Sequence, residues 1–336
     1  MKKLLLGLVF WGVIIVIISC SRSDDSADLN SIDNNDIVDI AKEESQENSL
    51  TAEVDEGLES AEEDKLNIID SSEKMESDIF ESSLGTTPDI LNLGSAGNID
   101  GRTLIISIFA DDSTTSWNYE SEEDVDIMKD TIKNLRISTT YLAEQVAHYG
   151  KSASFIFDWE QYEDIGIVTS FSEQLVREDG SMYFVQRNWI ENNIDIASLK
   201  TKYKADNVIF IFFFNTDYSN QVNPWSLGYS SSPQCDLEII NVFVRFDDQF
   251  LMSPSSYAHE IMHLFGAHDL YYANSYIPQE YVDYCKNSES NDIMYTVRDG
   301  ETITNDFTEL DAYYVGLTGR PEEADAWGLA KSEHEE

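Results

Sequence analysis

His259-Glu260-Ile261-Met262-His263-Leu264-Phe265-Gly266-Ala267-His268-Asp269 decides how the rest of this chain is read. Three of its five histidines fall in this one run. On a helix, His259 and His263 stand one above the other, so both imidazoles can reach a single ion. Glu260, the next residue along, leans to the side where a water on that ion would sit. Gly266 lets the chain turn back and bring up a third ligand from position 268 or 269. Imidazole nitrogen and carboxylate oxygen bind zinc at similar distances, so His268 and Asp269 both qualify on chemistry alone. Two histidines and one further ligand leave a fourth position for water, as a hydrolytic zinc requires. A purely structural zinc would fill all four positions, usually with Cys and His.

The surrounding pattern is that of one α/β domain over residues 99–320, long enough for a single core. Ser253 fits an N-cap and Pro254 the first helical position. Ala258, Ile261, Met262, Leu264 and Phe265 then make the motif helix largely buried. Upstream, Thr103–Phe109 reads as a buried strand. A long helix capped by Ser121 follows, with Val125, Met128, Ile132, Leu135, Leu142 and Val146 at helical spacing up to Gly150. Ser154–Phe157 and, more weakly, Met182–Gln186 read as strands, and Ile194–Lys204 as a short helix. Val208–Phe214 is an apolar run too short to cross a bilayer and reads as a central strand. Glu238–Phe246 is a further strand, a Tyr- and Asn-rich loop leads to Met294, and Asn305–Leu317 reads as a final helix. His148 falls on the long helix and His334 in an acidic tail, residues 321–336.

The ends of the chain speak for export. Lys2 and Lys3 precede an apolar run, Leu4–Ile18, of about fifteen residues, short against the roughly 20 a bilayer span needs. Ile17-Ile18-Ser19-Cys20 resembles the bacterial lipobox. That resemblance implies a signal peptide over residues 1–19 and lipidation of Cys20, placing the protein in the cell envelope outside the cytoplasm. Ser21 favours the outer membrane or cell surface. Between residues 21 and 98 there are 22 Asp and Glu against 4 Lys and Arg, so residues 20–98 are expected to be a disordered acidic tether. A coil of that length would span roughly 50 Å end to end; an inhibitory propeptide is the other reading. Cys235 and Cys285 are an even pair in an oxidising compartment and are expected to form a disulfide. The net charge of −43 excludes nucleic acid and anionic lipid surfaces as partners. It leaves the lipid as the membrane contact, and nothing signals an oligomer.

His259-Glu260-x-x-His263-x-x-Gly266-x-x-Asp269, with Ile293-Met294-Tyr295 downstream, resembles the metzincin pattern and its Met-turn. The departure is at Asp269, where most metzincins carry histidine. The snapalysin-like bacterial enzymes carry aspartate there, and Asp269-Leu270-Tyr271 is similar to theirs. The resemblance implies an α/β (α+β) fold: a mixed twisted sheet, a long helix, a zinc helix, and a small C-terminal subdomain with the Met-turn and final helix. It implies one Zn2+ on His259, His263 and Asp269, with His268 as the alternative third ligand, and Met294 as a floor beneath the ion. Ca2+ sites are compatible but not indicated. Glu260 would be the general base, with Tyr271 and Tyr295 as candidate donors to the oxyanion. A polypeptide substrate would lie extended along an edge strand, a role assigned to Glu238–Phe246. The implied activity is a zinc endopeptidase. The competing readings are an inactive surface lipoprotein or adhesin that keeps the fold, and a zinc amidase acting on cell-wall peptide.

Overall fold

The eight residues from Asn207 to Phe214 are all buried, which happens to a strand only when both faces of its sheet are covered. In the computed structural model of the chain, which describes residues 94–175, 182–216, 224–229, 231–232, 234–245, 251–298 and 300–331, this strand lies at the centre of a mixed sheet. Its strands are β1 (Gly101–Asp111), β2 (Ala153–Ile156), β3 (Gly166–Ser170), β4 (Asn207–Phe214), β5 (Trp225–Leu227) and β6 (Glu238–Phe243). The order is β2-β1-β4-β6-β5, with β3 pairing the C-terminal half of β1 beyond β2. All pairings are parallel except that of β5 with β6.

Strand alternation sorts the core into two layers. Ile105, Phe109, Ile209, Ile211, Phe213, Ile240 and Val242 face one side. There α1 (Glu122–His148) contributes Ile127, Met128, Leu135, Leu142 and Val146 to the same core. Leu104, Ile106, Ile108, Phe210, Phe212, Phe214 and Phe243 face the other side, against α2 (Met182–Asn193) and α3 (Ile196–Tyr203). Each of these fully buried large side chains contributes roughly 1.5–3 kcal/mol of transfer free energy. The helix α4 (Pro254–His263), which carries the motif, packs in the first layer against α1. Asn134 Nδ2 on α1 donates to Met252 O at 3.0 Å, and the Ser138 hydroxyl donates to Pro254 O at 2.7 Å. The long helix therefore fixes where the motif helix begins. Ser121 caps α1 as expected, and Glu122, Glu123 and Asp124 in its first turn complement the helix dipole. Three shorter helices follow: α5 (Gln279–Asn287), α6 (Glu309–Tyr314) and α7 (Glu322–Trp327). Among the described residues no helix is long and apolar enough to cross a membrane.

Several expectations need correcting. Met182–Gln186 is the first turn and a half of α2, not a strand. Met182, Tyr183, Gln186 and Ile190 are its buried face, and the polar Gln186 in that series hides the helical period. Gln186 is buried because its Nε2 donates to Asn241 Oδ1 at 2.5 Å. Glu238–Phe246 is not an edge: β6 ends at Phe243, all six of its residues are buried, and it lies between β4 and β5. Among the described residues β5 forms the edge on that side; Phe246 lies outside them. Cys235 and Cys285 are free thiols. Cys235 belongs to the layer under α2 and Cys285 to the α4 layer, so the sheet separates them. The Tyr- and Asn-rich loop contains α5, and within the expected tail α7 forms, with Ala324 and Leu329 buried. The signal peptide, Cys20, the tether up to residue 93 and His334 lie outside the described residues.

Candidate metal centre

The geometry of the site starts from the cap of α4. Ser253 Oγ accepts from Ser256 N at 3.3 Å and Pro254 opens the helix, as the sequence suggests. One helical turn then stacks His259 over His263, with ring planes at 90° and centroids 4.6 Å apart. His259 Nδ1 lies 2.8 Å from Ile293 O, and His263 Nδ1 lies 2.8 Å from Ala267 O. A carbonyl can only accept, so each Nδ1 carries a hydrogen and each ring turns Nε2 inward. The two Nε2 atoms are 3.0 Å apart, and Asp269 Oδ1 is 3.1 Å from one and 3.2 Å from the other. Two imidazole nitrogens and one buried carboxylate oxygen thus converge on one point. A tetrahedral ion with bonds of roughly 2.0–2.1 Å holds its ligand atoms about 3.3 Å apart, close to this triangle. The donor set therefore fits a divalent metal. Among the described residues it is the single group of three or more His, Cys, Asp or Glu side chains able to hold one.

The electrostatics agree. When no ion is bound, a proton must supply the missing positive charge. Burial works to lower the His263 pKa, but the Asp269 carboxylate beside it, then Glu260, overcome this and raise it to about 9. Asp269 shows the complement: burial would raise its pKa, yet the two imidazoles hold it well below the usual carboxylate range.

Asp269 arrives through a left-handed turn. Gly266 has φ of +103°, and a Cβ there would lie 3.2 Å from Tyr314 O. The turn closes with Gly266 N on His263 O and Ala267 N on Met262 O, so the chain doubles back beneath the helix end. It is then pinned where Leu270 N donates to Met294 O at 2.9 Å. Met294 is fully buried, and its N–H donates to Asp292 Oδ1 at 2.7 Å. Asp292 Oδ2 accepts from Thr308 Oγ1, the cap of α6, whose capping box is completed by Asp311. The same turn supplies Ile293 O to His259, so one network orients that imidazole and the chain beneath it. Burial raises the Asp292 carboxyl to about 6, against the hydrogen bonds from Met294 and Thr308. Burial, then the charge of Asp292, raises Asp311 well above the usual range.

The remaining candidates separate cleanly. Asp269 joins the two histidines, whereas His268 turns away. Its Nε2 lies 3.1 Å from Lys331 O, and its ring stacks on Tyr276 with centroids 4.6 Å apart. Tyr271 stands at the site, half exposed, its ring 6.5 Å from that of His259. Burial, then the charges of Asp269 and Glu260, push its phenol pKa up, so it remains a hydrogen-bond donor. Tyr295 packs partly against the core, with the Cys285 thiol as its neighbour, and does not line the cleft. The cleft encloses about 410 Å³ between Trp225 and Ser226 on β5, Glu260 and His263 on α4, and Tyr271 and Tyr276 beyond the turn. Ser226 was not singled out from the sequence: its hydroxyl lies 2.5 Å from Glu260 Oε2 and 2.9 Å from Glu260 O. Nothing in Pro224-Trp225-Ser226-Leu227-Gly228 signals that contact, because it forms only once β5 is laid against α4.

No protein-family model matches the chain, and no curated protein matches it. Among solved structures it is similar to the crystal structure of metalloproteinase-II from Bacteroides fragilis, with 12% identity and a TM-score of 0.29 over 66% of this chain. The match spans 57% of that chain. The chemistry of the site has to be read from its own geometry.

Proposed function

We propose that the protein is a zinc-dependent endopeptidase, of metzincin-like architecture, that acts outside the cytoplasm from a lipid anchor at Cys20. The observation that carries the catalytic reading is the convergence of His259 Nε2, His263 Nε2 and Asp269 Oδ1 with a carboxylate, Glu260, next to them on the cleft wall. The first three residues would hold zinc, which when bound acidifies water and draws charge from a carbonyl. Glu260 takes the proton from the attacking water at Oε1 or Oε2 and returns it to the nitrogen of the leaving amine. The Tyr271 hydroxyl donates to the oxygen that gains charge as the carbonyl becomes tetrahedral. An extended substrate pairs along β5, the edge strand that borders the cleft, rather than along β6. Aromatic walls at Tyr271 and Tyr276 exclude water and seat apolar side chains.

The test is Glu260→Gln, which keeps the shape of the side chain and removes the base. Hydrolysis of an unstructured protein such as casein should fall by about 10²–10⁴-fold while the variant still binds one zinc per chain. Turnover equal to the parent protein would refute the mechanism.

A further inference from the structure

The contact between Ser226 and Glu260 carries more than packing. In β5, Trp225 and Leu227 pack on the layer under α2, while Ser226 alternates to the opposite face with its cross-strand partner Ile240. It is thus the single β5 residue turned toward α4, and its hydroxyl reaches both the Glu260 carboxylate and the Glu260 carbonyl. A hydroxyl has one hydrogen to give and lone pairs with which to accept. While Glu260 is a carboxylate, the serine hydrogen points at Oε2, a charge-assisted bond consistent with the 2.5 Å separation. Once Oε2 carries the transferred proton, Oε2–H donates to Ser226 Oγ and the serine hydrogen turns to Glu260 O. That carbonyl lies in the last turn of α4, where carbonyls lack a full set of intrahelical partners. The carboxyl group is held in one place in both states, and the serine gains and loses no proton overall.

We infer that Ser226 is a positioning residue that holds the Glu260 carboxyl through the proton-transfer cycle and couples it to the strand on which substrate is laid. The inference rests on the hydrolytic reading above and deepens it. Ser226 is part-exposed on a three-residue edge strand, so replacing it leaves the core intact.

The test compares the zinc-loaded full-length protein with Ser226→Ala, Ser226→Thr and Glu260→Gln on one unstructured substrate. Ser226→Ala should lower kcat by about ten- to a hundredfold, the worth of one hydrogen bond to a charged group, with KM unchanged. Ser226→Thr, which restores a hydroxyl and suits a strand, should recover most of the loss. Zinc content should stay at one ion per chain, and a crystal structure of Ser226→Ala should show the Glu260 side chain in more than one orientation. A purely structural role for β5 would instead raise KM, since substrate pairs with that strand, and threonine would not help. An unchanged kcat, or a KM effect alone, overturns the inference while leaving the peptidase reading in place. Full activity in Glu260→Gln overturns both.

Discussion

Metal uptake by this site should release close to one proton at neutral pH, and the affinity should follow. The perturbation is pH, varied from 6 to 10 on the protein stripped by a chelator. His263 has its pKa raised to about 9, from 6.5, by the Asp269 carboxylate despite burial. Below that value the ring holds a proton at the nitrogen that would otherwise face the ion, and binding must displace it. At pH 7 nearly all molecules are protonated there, so the apparent zinc affinity is weaker than its limit by on the order of a hundredfold. At pH 8 the deficit shrinks to about tenfold, and above pH 9 it levels off. Titration calorimetry in two buffers of different ionisation enthalpy counts the protons, with about one expected from His263 at pH 7, beside any released by the water that zinc acidifies. Competition with a chromophoric chelator supplies the affinities. A proton count near zero at pH 7, or an affinity flat from pH 6 to 8, would show that Asp269 and His263 do not face each other as described.

Two further outcomes rest on the structure and a third on the sequence. Asp269→Ala should lose bound zinc by elemental analysis while His268→Ala retains it, because His268 Nε2 is engaged with Lys331 O; the reverse pattern would make His268 the ligand. Asp292 has a folded pKa raised to about 6, so the folded state holds a proton that the unfolded chain releases near pH 4. Its contribution to stability is therefore present at low pH and lost as pH rises through about 6; urea unfolding between pH 4 and 7 should show that decline, and Asp292→Asn, which removes the titrating carboxyl, should flatten it. Cys20→Ser should abolish incorporation of labelled palmitate and leave the protein free of the membrane fraction; retained label would remove the anchor from the reading.

Features encoded within a few residues were legible in the sequence, and features made by distant partners were not. The cap of α4, the stacking of His259 on His263, the turn at Gly266 and the buried run of β4 each follow from local spacing or a single residue's conformational freedom. β5 was invisible because three residues carry no period, and its strand character comes only from pairing with β6. α5 buries Tyr281, Val282 and Cys285 along just nine residues, too few for a helical repeat to stand out from the tyrosines around it. The disulfide failed for a geometric reason that composition cannot express: a sheet stands between the two thiols. The choice between His268 and Asp269 was open on ligand chemistry, and the direction in which each side chain leaves the turn at Gly266 separates them.

The last described residues have a practical consequence for anyone making a fragment of this protein. Ala330 N bonds Tyr276 O, Lys331 O meets His268, and Lys331 Nζ reaches Tyr313 O, so Ala330 and Lys331 buttress one rim of the cleft. Expression boundaries drawn at residue 320, where acidity alone suggests stopping, would cut this brace away. A recombinant version should run at least through Lys331, with any affinity tag placed at the opposite terminus.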